Sequence, residues 1–471
     1  MQRREFLLGL AAGAAGLAAM KSRLVKASDP PPNIVLLLSD DWGWPFYGFM
    51  RDPRVLPACE LANLPVPRTP TLDRLVSEGI CFHQGSNTAA KCQHSRESIY
   101  TGLNRRDLVK AHFATFAKAG IATMPVELAK HGYRTLGLGK WEVSRGGLLG
   151  SFTENRTYSP GGQRFYSKAG ATRGNLTIVD RFFSDRRDDG RPWFLSFAPI
   201  LPHQPYYRPL EPAYSYDGVS RDGVVDTCGL RFTVSPIAFR EFLGSCTWFD
   251  ELAGQIVEDK LHEYGFESNT LILYLTDNGA ILHGSKGNFR ENGLRTPIVA
   301  HFPGRIPPTG LHSALVGAID LFPTMLDYAG VDPESWPNFP DARSFRALAE
   351  DPSPENVAAF RSLFFSNWLV DGARAVRDAT YKIYTDNKGT EQKFFNLAVD
   401  PFEQHDLLSG ALSSEEDRVR CSLKNALNDW WCSDPPLRGT CQDQAEVCSE
   451  PTPTPTPEPT STPEPTPTPE P

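Results

Sequence analysis

Six consecutive residues, Asn33-Ile-Val-Leu-Leu-Leu38, run directly into the polar tip Ser39-Asp40-Asp41. A short, unbroken apolar run of this kind is what a strand buried on both faces looks like, and burial on both faces requires covering layers above and below the sheet. The pattern recurs at Trp193-Phe-Leu-Ser-Phe197 and at Thr270-Leu-Ile-Leu-Tyr-Leu275, the latter ending in Thr276-Asp277-Asn278-Gly279. Residues 71–78 read as a helix. So do residues 239–264, whose Phe242, Trp248, Phe249, Leu252, Ile256 and Leu261 fall on or near one face at helical spacing. Strands alternating with helices predict an α/β fold with a parallel sheet. Ligands in such sheets bind beyond the carboxyl ends of the strands, so Asp40, Asp41, Asp277 and Asn278 are expected in one neighbourhood. Four oxygen-bearing side chains suit a hard divalent cation, calcium or magnesium, and no cysteine or histidine pairs with zinc spacing lie near them. Solvated turns are the plainer reading of each pair taken separately.

After a helix-like stretch at 320–329, residues 335–354 are rich in Pro, Asp and Ser and read as a domain junction. Strand-like pieces at 362–368, 373–377, 381–384 and 393–396 predict a small antiparallel sheet in a second domain. The expected organisation is an export signal at 1–27, a large α/β domain at 28–340, a smaller C-terminal α+β domain with a Cys-rich end at 341–450, and a Pro/Thr/Glu tail at 451–471. The tail cannot form a core and reads as an extended spacer that could tether the protein to a cell surface. At the other end, Arg3 and Arg4 precede a small and apolar run too short to span a bilayer, the form of a twin-arginine-type export signal with Val25-Lys26-Ala27 as a cleavage site. Removing residues 1–27, which carry five basic residues and one acidic one, takes the formal charge from −8 to −12. A chain this acidic has no basic stripe for nucleic acid.

Cys92-Gln-His-Ser-Arg-Glu-Ser-Ile-Tyr-Thr-Gly102 places a potential nucleophile four residues before a cation where a helix is expected to begin. Helix amides and Arg96 would favour a thiolate, a hydrated aldehyde or an oxyanion beside Cys92. Nine cysteines in an exported chain favour disulfides, and the odd count leaves at least one unpaired, for which Cys92 is the candidate. Cys421, Cys432, Cys441 and Cys448 crowd the end of the folded region, where they could clip a segment poor in apolar residues.

Taken in order, these motifs carry a resemblance. The stretches at 33–41, Thr69-Pro-Thr-Leu-Asp73, 92–102, Gly139-Lys-Trp141, Pro202-His-Gln-Pro205, 276–279, Glu291-Asn-Gly-Leu-Arg-Thr-Pro297 and Asp320-Leu-Phe-Pro-Thr324 resemble those of the sulfatases of the alkaline-phosphatase-like superfamily. Asp400-Pro401 with Glu403 and Asp406-Leu407 resembles the stretch that ends the family's C-terminal domain. The resemblance implies a large mixed, mainly parallel sheet flanked by helices, with a small C-terminal antiparallel sheet, and hydrolysis of organic sulfate esters of a sulfated carbohydrate or an aryl alcohol. It further implies that a separate maturation system oxidises Cys92 to formylglycine, whose hydrate supplies the nucleophile. Calcium, with magnesium as the alternative, would be held by Asp40, Asp41, Asp277 and Asn278 beside residue 92. Arg96 would hold the diol and Lys140 and Lys286 the sulfate oxygens. His203 would protonate the leaving alcohol, with Lys286 as the second candidate.

Two positions depart from the family pattern. The third residue of the modification motif is His94 where proline or alanine is usual, and Glu142 stands two residues beyond Lys140 where histidine is usual. A carboxylate can take the same proton as that histidine, yet its charge repels sulfate unless it faces Lys140 or the metal; His94 is the alternative imidazole. Two other readings therefore stay open: a catalytically silent, sulfatase-like glycan binder, and a hydrolase of phosphate or phosphonate esters.

Overall fold

The structure is a computed structural model that describes residues 30–56, 65–110, 120–143, 152–158, 176–206, 214–217, 224–227, 230–233, 236–281, 285–367, 373–385 and 391–433. The expected export signal, the Pro/Thr tail and Cys59, Cys228, Cys441 and Cys448 lie outside the described residues.

Strands β1 (Asn33–Ser39), β2 (Ile80–Phe82), β3 (Arg134–Lys140), β4 (Glu154–Tyr158) and β5 (Trp193–Ala198) come first in the chain. The hairpin β6 (Val224–Thr227) and β7 (Leu230–Thr233) follows, then β8 (Thr270–Thr276), β9 (Ile298–His301) and β10 (Gly310–His312). Apart from the hairpin, they form an eight-stranded sheet in the order β10-β2-β9-β8-β1-β5-β3-β4. Only β9 runs against its neighbours β8 and β2; the other adjacent pairs are parallel. The sheet is thus mixed and mainly parallel. Val35 and Leu37 are as fully buried as Ile34, Leu36 and Leu38, which is the two-sided burial that the unbroken apolar run of β1 predicts. Ile34, Leu36 and Leu38 share a core with Phe82, Phe194, Leu271, Leu273 and Leu275.

The helix expected at 239–264 is Pro236–Gly254, continued through a π-helical stretch, Gln255–Lys260, into Leu261–Tyr264. Its Asp250 is buried and accepts the backbone amides of Thr71 and Leu72, at 3.0 and 2.8 Å. These amides begin the helix Pro70–Glu78, whose N-cap residue Thr69 makes no side-chain cap bond. Asp250 therefore replaces the missing local cap from a distant helix. Burial pushes its carboxyl up to about 7 against the pull of the two amides. Asp250→Ala leaves both amides buried without an acceptor and is expected to cost about 2–4 kcal/mol in urea-induced unfolding; a loss below about 1 kcal/mol would mean that water serves them equally well.

The chain divides into two compact units, residues 1–362 and 363–471. This boundary lies beyond the expected one at 340/341 because Phe345, Leu348, Ala349 and Phe360 are buried in the core of the first unit. The Pro-rich stretch is therefore part of that unit, and its Phe345, Leu348 and Ala349 reach into the core. In the second unit, β11 (Phe364–Asn367), β12 (Arg374–Arg377), β13 (Tyr381–Thr385) and β14 (Glu391–Asn396) form an antiparallel sheet in sequence order. Val376, Ile383 and Phe394 pack against Leu423, Leu427, Trp430 and Trp431 of the helix Ser414–Cys432. Ser413 and Glu416 form a capping box at the start of that helix. Cys421 and Cys432, both on it, are each disulfide-bonded but not to one another, since a single helix holds them too far apart. Among the described residues no helix is long and apolar enough to cross a membrane.

Candidate active site

The adjacent parallel strands β8, β1, β5 and β3 all end at one edge of the sheet, and their tips supply the site. Register fixes the meeting. Ser39 pairs with Thr276, so Asp40 and Asp41 leave β1 beside Asp277 and Asn278 leaving β8. The Asp277 amide donates to the Ser39 carbonyl at 3.2 Å and the Asp40 amide to the Leu201 carbonyl at 2.9 Å. The Asp41 amide donates to Asp277 Oδ1 at 3.1 Å, the Trp42 amide to Thr276 Oγ1 at 3.1 Å, and Asn278 Nδ2 to Asp41 Oδ1 at 2.6 Å. Asp41 adopts a left-handed backbone, φ 64°, and so does Glu142, φ 49°. Such conformations cost a non-glycine residue of order 1 kcal/mol or more and persist only where the surroundings impose them. Gly139 has φ 105°, and a Cβ there would lie 2.1 Å from the Ala198 carbonyl oxygen, so only glycine lets β3 deliver Lys140 against β5.

Cys92 opens the helix Cys92–Thr101, after an extended Lys91. The helix start is tied to the sheet: Ser95 Oγ bonds Asn87 Oδ1 at 3.2 Å, and Asn87 Nδ2 donates to the Thr276 carbonyl at 3.1 Å. Cys92 Sγ thereby reaches Asp40 Oδ1 and Asp41 Oδ1, each at 3.5 Å. Burial, followed by the charges of Asp41 and Asp40, pushes the thiol well above its ordinary range. Arg96, expected to act beside the sulfur, directs its hydrogen bonds to Asp277 and to the Lys140 carbonyl. Its Nε bonds Asp277 Oδ2 at 2.8 Å, its NH1 donates to the Lys140 carbonyl at 2.7 Å, and its NH2 lies 3.8 Å from Asp40 Oδ2. Burial would lower the Arg96 pKa, but Asp277 and Asp40 outweigh it and keep the guanidinium charged. Nor is Cys92 the single free thiol among the described residues, since Cys81 and Cys246 are also free and buried.

Two lysines border the acids. Lys140 Nζ is 2.6 Å from Asp40 Oδ2 and Lys286 Nζ is 2.8 Å from Asp41 Oδ2. Burial works against the charge on both; Asp40 and Cys92 restore it at Lys140, and Cys92, Asp41 and Asp40 restore it at Lys286, so both pKa values rise. Burial likewise opposes ionisation of Asp40, but Lys140 and Arg96 prevail and hold its carboxyl well below the usual range. His203 Nε2 lies 3.5 Å from Asp41 Oδ2 at the more open side of the cluster, while its Nδ1 is bonded to the Gln204 carbonyl. Glu142 faces Lys140, with Oε2 3.2 Å from Nζ, and this is the arrangement in which its charge is tolerable beside an anion. His94 answers to Arg105 and Lys91 instead of the acid cluster; burial and these two cations hold it down at about 4, so it is neutral at physiological pH.

The ligand atoms of Asp40, Asp41, Cys92 and His203 all lie within 4.8 Å of one another, a cluster able to hold a metal ion. The Asn278 carbonyl oxygen Oδ1, which faces no hydrogen-bond partner although it is buried, fits the same purpose. This cluster shares Asp40 and Asp41 with the expected oxygen set but takes in Cys92 and His203, whereas Asp277 engages Oδ1 with the Asp41 amide and Oδ2 with Arg96. Sequence reasoning named Asp40, Asp41, Asp277, Asn278, Cys92, both lysines and His203, which lie together at this edge of the sheet, and it included Thr276 in a motif, but it missed Asn87. Asn87 fixes the helix to β8 by accepting from Ser95 Oγ and donating to the Thr276 carbonyl, and a single polar residue outside every motif carries no sign of that in the sequence.

The sulfatase family model matches residues 32–331, and the model of the N-sulphoglucosamine sulphohydrolase C-terminal region matches residues 285–431. Among curated relatives, arylsulfatase G of Rattus norvegicus is 25% identical over 90% of this chain and 91% of its own length. N-acetylgalactosamine-6-sulfatase of Mus musculus is 27% identical over 66% of this chain and 65% of its own length, just under two thirds of that relative. The solved phosphonate monoester hydrolase of Agrobacterium radiobacter shares the fold at a TM-score of 0.62 and 17% identity, over 84% of this chain and 94% of the other.

Proposed function

This chain belongs to the sulfatase family, and we propose that it hydrolyses organic sulfate esters, those of a sulfated carbohydrate or an aryl alcohol, at the cluster around Cys92. The reading rests on Cys92 Sγ lying 3.5 Å from both Asp40 and Asp41 at the carboxyl edge of the sheet, within the stretch that the family model matches. Formylglycine made from Cys92 by a separate maturation system would supply an oxygen nucleophile as its hydrate, and calcium, or magnesium, would supply Lewis acidity beside it.

The remaining work belongs to side chains already in place. Asp40, Asp41, Asp277 and Asn278 offer the metal-facing oxygens. Arg96 pins Asp277 and the Lys140 carbonyl, so β8 and β3 keep their spacing while charge moves through the site. Lys140 and Lys286 stand at the rim of the acid pair, where they meet the sulfate oxygens as negative charge builds. His203, with a more exposed ring than the rest, gives its proton to the departing alcohol, with Lys286 as the second candidate. Export through the segment at 1–27 and tethering through the tail at 451–471 complete the proposal.

The test is peptide mass spectrometry across Cys92 on protein from its native host, with sulfate release assayed on the same sample. We expect the mass of formylglycine and calcium-dependent sulfate release. An alkylatable thiol with tight binding of sulfated glycan and no turnover would replace the enzyme with a silent binder.

A further inference from the structure

Glu142 sits where a left-handed backbone holds it, and its carboxylate lies 3.2 Å from Lys140 Nζ. That ammonium already lies 2.6 Å from Asp40 Oδ2, so two carboxylates share one buried cation. The cluster then carries the charges of Asp40, Asp41, Asp277 and Glu142 against those of Arg96, Lys140 and Lys286. With a divalent cation in place the sum is one positive charge; without Glu142 it would be two. A sulfate monoester carries one negative charge at neutral pH, whereas a phosphate monoester approaches two, its second pKa being about 6. Coulomb energy scales with the product of the charges, so a fixed carboxylate repels the dianion about twice as strongly as the monoanion. The two ester classes otherwise present the same tetrahedral oxygens to the same lysines, and the fold itself also serves a phosphonate ester hydrolase.

We propose that Glu142 is a specificity-determining residue, which offsets part of the charge of Lys140 and so disfavours dianionic phosphoryl esters relative to monoanionic sulfate esters. The inference rests on the proposed sulfatase reading of the site. It asks for no proton transfer by Glu142, only a fixed negative charge beside the anion-binding ammonium.

Glu142→Gln keeps the shape and the backbone demand while removing the charge. Wild type and variant are compared at pH 8 with calcium present, on 4-nitrophenyl sulfate and 4-nitrophenyl phosphate, which share a leaving group. The ratio of kcat/KM for phosphate over sulfate is expected to rise about tenfold in the variant, chiefly through a lower KM for the phosphate. A ratio unchanged within about twofold would overturn the proposal. So would an equal fall in kcat for both esters, which would make Glu142 a base acting in turnover. Calorimetric binding of methyl phosphate and methyl sulfate reads the same charge without chemistry, and there too the dianion should gain about tenfold more affinity than the monoanion on going to the variant. A wild type that releases no sulfate would remove the sulfatase reading while leaving this binding comparison decisive for Glu142. Glu142→Asn, whose side chain accepts a left-handed backbone readily, should reproduce both shifts if the glutamine variant folds poorly.

Discussion

Cys92→Ala is expected to lower sulfate-ester turnover by at least about a thousandfold while leaving the fold intact, because it deletes the group from which the nucleophile is made. The side chain is small and buried, and its sulfur contacts acids instead of filling an apolar core, so the stability change should stay below about 1.5 kcal/mol in urea unfolding. The result separates a site that catalyses from one that only binds. A wild-type enzyme that turns over while the alanine variant matches it within about threefold would place the nucleophile elsewhere, and water activated at the metal would become the leading chemistry. Unmodified Cys92 is itself a poor nucleophile in this setting. Burial and two adjacent carboxylates keep the thiol protonated, so an unconverted thiol should also react slowly with iodoacetamide at pH 8 compared with an exposed cysteine. Slow alkylation together with no turnover would mark an unmatured protein, whereas slow alkylation with turnover would mean that the converted fraction carries the activity.

Legibility in the sequence followed the kind of interaction involved. The runs at 33–38 and 270–275 announce buried parallel strands because two-sided burial leaves no polar alternation, and each acid-rich tip is then placed by topology alone. That logic reached Asp40, Asp41, Asp277 and Asn278 without side-chain information, and it also gave the antiparallel second sheet through short alternating pieces. The direction of β9 was not legible, since antiparallel and parallel buried strands share a composition. The edge of the first unit was misplaced because Pro, Asp and Ser mark a chain leaving the surface and say nothing of whether it returns; here Phe345, Leu348 and Phe360 bring it back to the core. Charge pairing was the least legible. A cation four residues after Cys92 suggests an electrostatic partner for the sulfur, yet Arg96 spends its fork on Asp277 and a backbone carbonyl. Conversely, Glu142 read as a departure from the family pattern with Lys140 or the metal as the groups it could face, and only the left-handed turn in three dimensions shows it against Lys140.

Asp277→Ala is expected to remove calcium binding and activity together, and also to weaken the fold. Asp277 does two jobs: its Oδ1 accepts the Asp41 amide at 3.1 Å and its Oδ2 bonds Arg96 at 2.8 Å, both in full burial. Without it the guanidinium keeps Asp40 at 3.8 Å as its nearest carboxylate. Breaking one side of a buried ion pair costs about 3–5 kcal/mol, since the remaining charge is left in a medium that solvates it badly. Calcium affinity should fall at least about a hundredfold, beyond the loss typical of changing an outer-sphere partner, and kcat/KM for a sulfate ester by about a thousandfold or more. Asp277→Asn divides the two roles: its amide keeps the shape and can accept the Asp41 amide, but it carries no charge for Arg96 or for the cation. Calorimetric calcium titration alongside urea unfolding distinguishes the outcomes. Calcium affinity retained in both variants would remove Asp277 from the metal set and leave it as the anchor of Arg96. Affinity lost in both, with stability lost mainly in the alanine variant, would mean that the carboxylate charge serves the metal, while the shape of the side chain serves the junction between β1 and β8.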